Sequence, residues 1–215
     1  MPFMKDISMT QSKKYAIIVD AAKCIDCKAC MVACKVENNV PEGFWRNWIN
    51  VLGGENGSFR TEYQPSQCMQ CDDPSCVAAC PVHATYKQEN GLVVIDPEKC
   101  IGCGNCVTAC PYKARYRNPA KRIADKCDFC EDRLKSGKEP ACVVTCPTKT
   151  RIFGDLNDPA SPVAQMKEKV ELIQITAPHI NTRPNIDYFK GTQLLDWAVT
   201  PMLPGNVHMP PEFWK

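Results

Sequence analysis

The sequence has no long apolar run and almost no net charge. None of its hydrophobic stretches reaches the roughly 18 residues that a membrane-spanning helix needs. The formal net charge is only +2, so no long-range field favours nucleic acid or an anionic membrane as a partner. Residues 1–14 have neither an apolar core segment nor twin arginines and are not expected to act as an export signal. We therefore expect either a cytoplasmic protein or one that is exported while bound to a partner carrying the signal.

Cysteine, by contrast, is in large excess, with 16 among 215 residues. A disulfide framework is typical of short secreted chains that lack a core, and this chain is long. Zinc sites are usually built from C-x2-C pairs in tetrahedral sets, whereas two cysteine triplets here have a spacing of three. Iron–sulfur clusters are the third possibility, and the spacing favours them.

The cysteines fall into four groups of four, with none left over. Groups one and three have the spacing C-x2-C-x2-C-x3-C, while the middle gap is four residues in group two and eleven in group four. Proline follows the last cysteine of groups two, three and four. The groups are Cys24, Cys27, Cys30 and Cys34; Cys68, Cys71, Cys76 and Cys80; Cys100, Cys103, Cys106 and Cys110; and Cys127, Cys130, Cys142 and Cys146.

This spacing suits a [4Fe-4S] cube, in which each iron needs one thiolate. Three cysteines on a tight loop can wrap three corners, and the fourth follows after about one helical turn and points elsewhere. In two-cluster ferredoxins with this run, the fourth cysteine binds the other cluster, and the proline then ends the helix because it has no N–H to donate. Four complete sets predict four [4Fe-4S] clusters that carry electrons, with no iron left free for a substrate.

The chain also contains an internal repeat. A shift of 76 residues places every cysteine of group one on group three, and groups two and four share the patterns DPSCVAACP and EPACVVTCP. The predicted fold is α+β: duplicated two-cluster bacterial ferredoxin-like modules with short β-hairpins and short helices around the clusters. This core is expected over residues 14–154, with residues 155–215 as an extended C-terminal arm for partner docking.

Local patterns predict several elements. Residues 15–19 form a strand, and residues 84–87 and 92–95 form a hairpin around Asn90-Gly91, the favoured type I′ pair. Short helices are expected after the third cysteine of groups one and three, the first of them running as far as Asn38 or Asn39.

Other features have more than one interpretation. Trp45 and Trp48 are expected in local core rather than as docking anchors. His83 is expected to be a plain surface residue or one that supports the cluster ligands, rather than a residue that tunes the potential of a nearby cluster. The basic run 113–126 is expected to be a solvated surface, the alternative being guidance of an acidic partner. The apolar residues between cysteines are expected to form a shell around the clusters: Ile25, Val32, Val77, Ile101, Val107 and Val143.

The order of the four groups resembles the iron–sulfur subunit of molybdopterin oxidoreductases of the dimethyl-sulfoxide reductase superfamily, most closely the polysulfide, thiosulfate and arsenate reductase type. The resemblance covers roughly residues 14–165, and TRPNIDYF at 182–189 extends it weakly into the tail. The stretches that carry it are ACMVACKVENNVP, CVAACPVHATY, CIGCGNCVTACPYKARY, CDFCEDRLKSGKEPACVVTCPT and GDLNDPASPV.

The resemblance implies that groups one and four share two clusters, and that groups two and three share the other two. The implied sets are Cys24, Cys27, Cys30 and Cys146; Cys34, Cys127, Cys130 and Cys142; Cys68, Cys71, Cys76 and Cys110; and Cys80, Cys100, Cys103 and Cys106. The first set lies nearest a large molybdopterin catalytic subunit with molybdenum or tungsten, and the last lies at the far end. The tail from about residue 178 is expected to lie largely on that subunit.

A membrane quinone subunit or another carrier is the expected second partner, and export together with the catalytic subunit is slightly favoured over a cytoplasmic location. The chain itself is not expected to be an enzyme. Three alternatives remain: a relay subunit of a hydrogenase or formate–hydrogen complex, a freestanding polyferredoxin and a zinc-structured interaction module. The cysteine pattern does not encode the substrate or the direction of electron flow.

The cluster content is directly testable. Iron and acid-labile sulfide in the purified protein should each approach about sixteen per chain, since each of four clusters holds four of each on four thiolates. Zinc in place of iron, or iron for only two clusters, would contradict this prediction.

Overall fold

The computed structural model describes residues 12–53, 61–176 and 180–191. In these ranges the chain forms ten strands, six α-helices and a 3-10 turn at Ala21–Lys23. The strands are β1 (Tyr15–Val19), β2 (Asn47–Gly53), β3 (Thr61–Gln67), β4 (Thr85–Lys87), β5 (Val93–Ile95), β6 (Arg115–Arg117), β7 (Ala124–Lys126), β8 (Arg151–Asp155), β9 (Leu172–Ile173) and β10 (Ile186–Phe189). The helices are α1 (Ala29–Glu37), α2 (Ser75–Ala78), α3 (Asn105–Thr108), α4 (Glu131–Lys135), α5 (Ala141–Val144) and α6 (Pro162–Lys169).

A four-stranded sheet in the order β8-β1-β10-β9 lies at the centre of the fold. β1 runs antiparallel to β8 and parallel to β10. Its residues Ile17, Ile18 and Val19 are fully buried, as expected for a continuous apolar run in a strand covered on both faces. The strand predicted at 15–19 is therefore confirmed, and it leads directly into the first cysteine group.

Part of the segment predicted as an extended arm belongs to this sheet. β10 pairs with β1 through Ile17–Ile186 and Val19–Tyr188, and the Tyr188 hydroxyl donates to the carbonyl of Pro65 at 2.9 Å. The physical reason is that β1 needs a hydrogen-bonding partner on its second edge, which β10 supplies. Residues 192–215, also assigned to the arm, lie outside the described residues.

Helix α6 holds the segment between β8 and β9 against the core. It packs on β8 and β1, and Val163 is fully buried. The helix approaches closely because Gly154 has no side chain: a Cβ there would lie 2.1 Å from the Oγ of Ser161. The stretch GDLNDPASPV is thus a packing contact between strand and helix.

Three two-stranded antiparallel hairpins complete the strands: β2–β3, β4–β5 and β6–β7. The β4–β5 hairpin confirms the predicted one, but its turn is different. Of Asn90 and Gly91, only Gly91 has a positive φ, at 82°, whereas type I′ needs positive φ at both central residues. The Gly91 N–H instead bonds the carbonyl of Gln88 at 3.0 Å.

One carboxylate joins three parts of the chain near the sheet. Asp72 accepts hydrogen bonds from the ammonium groups of Lys14 and Lys87 at 2.8 and 2.6 Å, and from the Asn185 amide at 2.9 Å. Burial raises the pKa of Asp72, but these three donors outweigh burial and hold the pKa well below its usual range. Asp72 therefore links the segment before β1, strand β4 and the segment before β10.

The assignment of β10 to the core predicts a large cost for Ile186→Ala. Ile186 is 1% exposed, so the truncation should lower the free energy of unfolding by about 2–5 kcal/mol, the usual range for a buried isoleucine or leucine. Ile180→Ala is the matched control, because Ile180 is 46% exposed and should change stability little. Denaturant unfolding of both variants measures the difference, and equal effects would place β10 outside the stabilising core.

Candidate metal centres

Each cysteine group begins with the same backbone turn. The second residue after the first cysteine has a left-handed conformation in all four groups: Asp26, Gln70, Gly102 and Phe129, with φ between 46° and 66°. Non-glycine residues seldom adopt this conformation, and such residues cluster at functional sites. The turn reverses the chain between two cysteines three positions apart and so lets both thiols face one centre.

Gly102 shows why this turn is demanding in group three. Its φ is 66°, and a Cβ at this position would lie 2.0 Å from the carbonyl oxygen of Arg122. The cysteine loop therefore lies directly against the turn between β6 and β7. The same hairpin donates to the loop, since the Ala124 N–H lies 3.5 Å from the sulfur of Cys100.

The fourth cysteines differ from the predicted placement on helices. Helices α2, α3 and α5 each end two residues before the fourth cysteine of their group, so that cysteine lies in the turn beyond the helix. Among the fourth cysteines of the four groups, only Cys34 lies within a helix, α1. After each Cys-Pro pair the third residue from the cysteine is again left-handed: His83, Lys113 and Lys149, with φ of 50°, 51° and 54°.

This second turn directs N–H groups at the sulfur. The Thr150 N–H lies 3.3 Å from the sulfur of Cys146. Burial raises the pKa of Cys80, but hydrogen bonds from the backbone of Thr85, Val82 and Ala84 outweigh it, and the pKa falls below its ordinary value. The proline that follows these cysteines thus starts a turn that stabilises a thiolate.

Group one has no proline and uses a side chain instead. The Asn38 amide lies 3.5 Å from the sulfur of Cys34 and 3.7 Å from that of Cys130. Arg46 donates to the Asn38 oxygen at 2.9 Å and is itself held by Asp125 at 2.7 Å. Apart from the missing proline, no feature of the sequence indicated this arrangement.

The structure brings thiols of groups one and four together. Burial, with the nearby thiols of Cys142 and Cys130, raises the pKa of Cys34. Burial, with Cys34 and Cys142, also raises the pKa of Cys127 far above its ordinary value. Cys34 of group one therefore lies among the thiols of group four.

Thiols of groups two and three also meet. Burial and the Cys68 thiol raise the pKa of Cys110 to about 11, and burial with Cys68, Cys110 and Cys76 raises the pKa of Cys71 to about 12, although a hydrogen bond with Thr182 lowers it. A pocket brings one cysteine of group two to three of group three. The cysteines that line it are Cys80, Cys100, Cys103 and Cys106.

The structure brings together only some members of the set implied for the first cluster. The Cys24 thiol is close enough to Cys30 for the two to interact electrostatically. Helix α5, which precedes Cys146, packs against α1. The membership of Cys146 in this set stays a prediction.

Burial differs between the sets. Cys34, Cys127, Cys130 and Cys142 are all buried, whereas Cys27 and Cys103 are exposed. The Cys127 thiol is also near Cys68, so the two pairs of groups approach each other at their buried thiols.

The donor set fits iron–sulfur clusters. Buried thiols with raised pKa values need a strong positive charge before they lose their protons, which bound metal supplies. Within the described residues, four buried guanidinium nitrogens have no hydrogen-bond partner: Nε of Arg46, Nε and Nη2 of Arg115, and Nη2 of Arg151. All sixteen cysteines lie in the described residues and are free thiols.

Several other expectations need correction. In the basic run 113–126, Lys113 and Lys121 are exposed, but Arg115 and Lys126 are buried. These two residues pair with each other across β6 and β7. Among the six apolar residues predicted to cover the clusters, Val143 is buried and Val77 and Val107 are partly buried. The other three are exposed: Ile25, Val32 and Ile101.

The aromatic residues follow their expected roles more closely. Trp48 is buried in the core on β2, and Trp45 is partly buried, with the ammonium of Lys35 4.4 Å from its ring centre. His83 is exposed, as predicted.

Two family models described as "4Fe-4S dicluster domain" match the chain, one over residues 23–84 and the other over residues 59–156. One subunit of tetrathionate reductase from Salmonella typhimurium is 40% identical over 194 residues, or 88% of this chain and 76% of the relative. One polysulfide reductase polypeptide from Wolinella succinogenes is 43% identical over 156 residues, or 71% and 82%. The thiosulfate reductase electron transfer subunit from Salmonella typhi is 44% identical over 151 residues, or 68% and 79%.

The chain belongs to the iron–sulfur subunits of molybdopterin oxidoreductases. This membership confirms the resemblance that the cysteine groups indicated. The iron–sulfur subunit binds [4Fe-4S] clusters and transfers electrons. Within its described residues, no helix has both the length and the hydropathy needed to cross a membrane.

The pairing of Cys146 in this iron–sulfur subunit can be tested directly. Cys146→Ser should alter the cluster held by Cys24, Cys27 and Cys30, because the resemblance implies that Cys146 is the fourth ligand of that cluster. The cluster of Cys127, Cys130 and Cys142 should keep its spectrum. Electron paramagnetic resonance of the reduced variant measures both, with Cys142→Ser as the matched control in the same group. Loss of the same signal in both variants would mean that the sets do not cross between groups.

Proposed function

We propose that this subunit holds four [4Fe-4S] clusters as two intertwined modules, and that it relays electrons through them. The first module takes groups one and four, and the second takes groups two and three. The relay runs between a molybdopterin catalytic subunit with molybdenum or tungsten and a quinone-linked membrane subunit or another carrier. The proposed ligand sets are Cys24, Cys27, Cys30 and Cys146; Cys34, Cys127, Cys130 and Cys142; Cys68, Cys71, Cys76 and Cys110; and Cys80, Cys100, Cys103 and Cys106.

The observation that carries the proposal is the burial gradient across these sets. The sets of Cys24 and Cys100 each include one exposed cysteine, while the Cys34 set is wholly buried. The proximity of Cys127 and Cys68 supports contact between the two inner sets. A path with two accessible ends and a buried middle suits a relay, since electrons must enter and leave but must be protected from solvent in between.

The protein's own groups have a defined part in this function. A bound [4Fe-4S] cluster would supply a carrier of one electron at a time. The backbone N–H groups after Cys80 and Cys146 donate to thiolate sulfur, and such donors tune the potential. The Asn38 amide, oriented by Arg46, does the same at Cys34 and Cys130. The chain thus sets the potential and excludes water, while the chemistry on the substrate belongs to the partner.

Isolation of the native complex tests the function as a whole. A large subunit with bound pterin, together with molybdenum or tungsten, should copurify with the chain. A nickel-containing partner would instead assign the chain to a hydrogenase relay, and the absence of any partner would assign it to a freestanding polyferredoxin.

The Cys24 and Cys100 sets, at the two ends of the proposed relay, each carry an exposed isoleucine. These two residues test which end docks on the catalytic subunit. Ile25 and Ile101 follow the first cysteine of groups one and three and are 61% and 62% exposed. Ile25→Glu should weaken capture of the catalytic subunit more than tenfold, because an apolar residue buried in an interface is replaced by a charge. Ile101→Glu, the equivalent change at the far end, should leave this affinity unchanged. The reverse result in a binding assay with full-length chains would invert the proposed orientation.

A further inference from the structure

Arg115 and Arg151 occupy the same position relative to different cysteine groups. Each is the fifth residue after the fourth cysteine of its group, in the stretches CPYKAR and CPTKTR. The left-handed residues Lys113 and Lys149 precede them at equal spacing, and each arginine is the first residue of a strand, β6 or β8. The repeated turn therefore delivers one guanidinium group to each proposed module.

Both side chains are buried without a carboxylate partner. Arg115 is 4% exposed and Arg151 is 3% exposed. Within the described residues, the arginines that form ion pairs with carboxylates are others: Arg46, Arg133 and Arg183. Burial of an unpaired guanidinium is strongly unfavourable, so these two must be balanced by another negative charge.

The hydrogen bonds that the protein supplies are too few to satisfy them. Arg115 donates through Nη1 to the hydroxyl of Thr85 at 3.1 Å, and its Nε and Nη2 have no partner among the described residues. Arg151 donates through Nη1 to Gln67 and also bonds the Cys30 thiol, while its Nη2 has no partner in the part of the chain that the structure describes. By comparison, the buried ammonium of Lys126 bonds the carbonyls of Val93 and Cys127.

The ionisable groups that interact with each arginine include cysteines from both proposed sets of its module. Arg115 interacts electrostatically with Cys76, Cys68 and Cys110 of one proposed set, and with Cys106 of the other. Arg151 interacts in the same way with Cys142 of one set and Cys30 of the other. Each guanidinium is therefore close to thiols of both proposed sets of its own module.

We infer that Arg115 and Arg151 are positioning charges that raise the reduction potentials of the two clusters in their module, and that their free N–H groups donate to cluster sulfur. This inference rests on the proposed function and its ligand sets. An electron that enters a cluster adds one negative charge, with no bond made or broken. A nearby buried cation stabilises that added charge in a medium of low dielectric constant, and hydrogen bonds to sulfur act in the same direction.

Neutral variants in the purified complex test the inference. Arg115→Gln should lower the midpoint potential of each of the two clusters in the second module by at least about 59 mV. For one electron, this shift corresponds to a tenfold change in the oxidised-to-reduced ratio at a given potential. Arg151→Gln should lower the two midpoints of the first module instead. Redox titration monitored by electron paramagnetic resonance measures all four. Iron and sulfide content, measured first, tests the cluster count of the proposed function separately from the midpoints.

Lys113→Gln and Lys149→Gln are the matched controls. Each removes one positive charge two residues from the arginine, but from an exposed side chain whose charge is screened by solvent. Their midpoints should stay close to those of the native complex. Equal shifts in lysine and arginine variants would overturn the inference, as would unchanged midpoints, or equal shifts of all four clusters, in Arg→Gln variants with full iron.

Arg115→Lys and Arg151→Lys provide a second measurement if the glutamine variants lose iron. Lysine keeps the charge but is a compact ammonium without the planar fork of arginine, so the two midpoints of the same module should still fall, by a smaller amount. Unchanged midpoints in lysine variants with full iron would overturn the donation of the free N–H groups to cluster sulfur and leave the retained charge as the source of the effect. Equal shifts of all four midpoints in these variants would overturn the inference as a whole.

Discussion

The structure depends on how the protein compensates for crowded, buried thiols. Ten of the sixteen cysteines are buried, and burial together with neighbouring thiols raises the pKa of several of them. Thiolates in such surroundings need positive charge or hydrogen-bond donors. Metal is the main source, but the backbone turns after Cys80 and Cys146 and the Asn38 amide supply donors of their own. The short elements around the cysteines can be understood as the means of placing these groups.

The sequence predicted the local parts of this arrangement well. Strand β1 and the hairpin at 85–95 follow from short-range patterns, and the grouping of cysteines follows from spacing alone. The parallel partner of β1 was not predictable in this way, because β10 has only four residues and follows β1 by more than 160 positions. Its place depends on the unpaired edge of β1, which no local pattern of residues 186–189 encodes.

The buried arginines were missed for a different reason. A run of basic residues has the composition of a solvated surface, yet Arg115 and Lys126, which pair across β6 and β7, are buried. The signal was present, since both Arg115 and Arg151 follow their cysteine by five residues, but it is visible only when groups three and four are compared. The comparison at 76 residues aligns groups one and three, and group one has Asn39 at this position. Because group one lacks this arginine, the alignment of groups one and three did not indicate the arginine that groups three and four share.

The sheet order has a consequence for the nascent protein. β1 leaves the ribosome early, but both of its neighbours, β8 and β10, come from the last third of the described sequence. Groups two and three, by contrast, lie in one continuous stretch between residues 68 and 110. Because segments fold as they emerge, the middle of the sequence can become compact while β1 and group one still wait for their neighbours. Maturation then proceeds from the middle outward, and β1 and group one, although synthesised before their neighbours, are among the last to acquire their final surroundings.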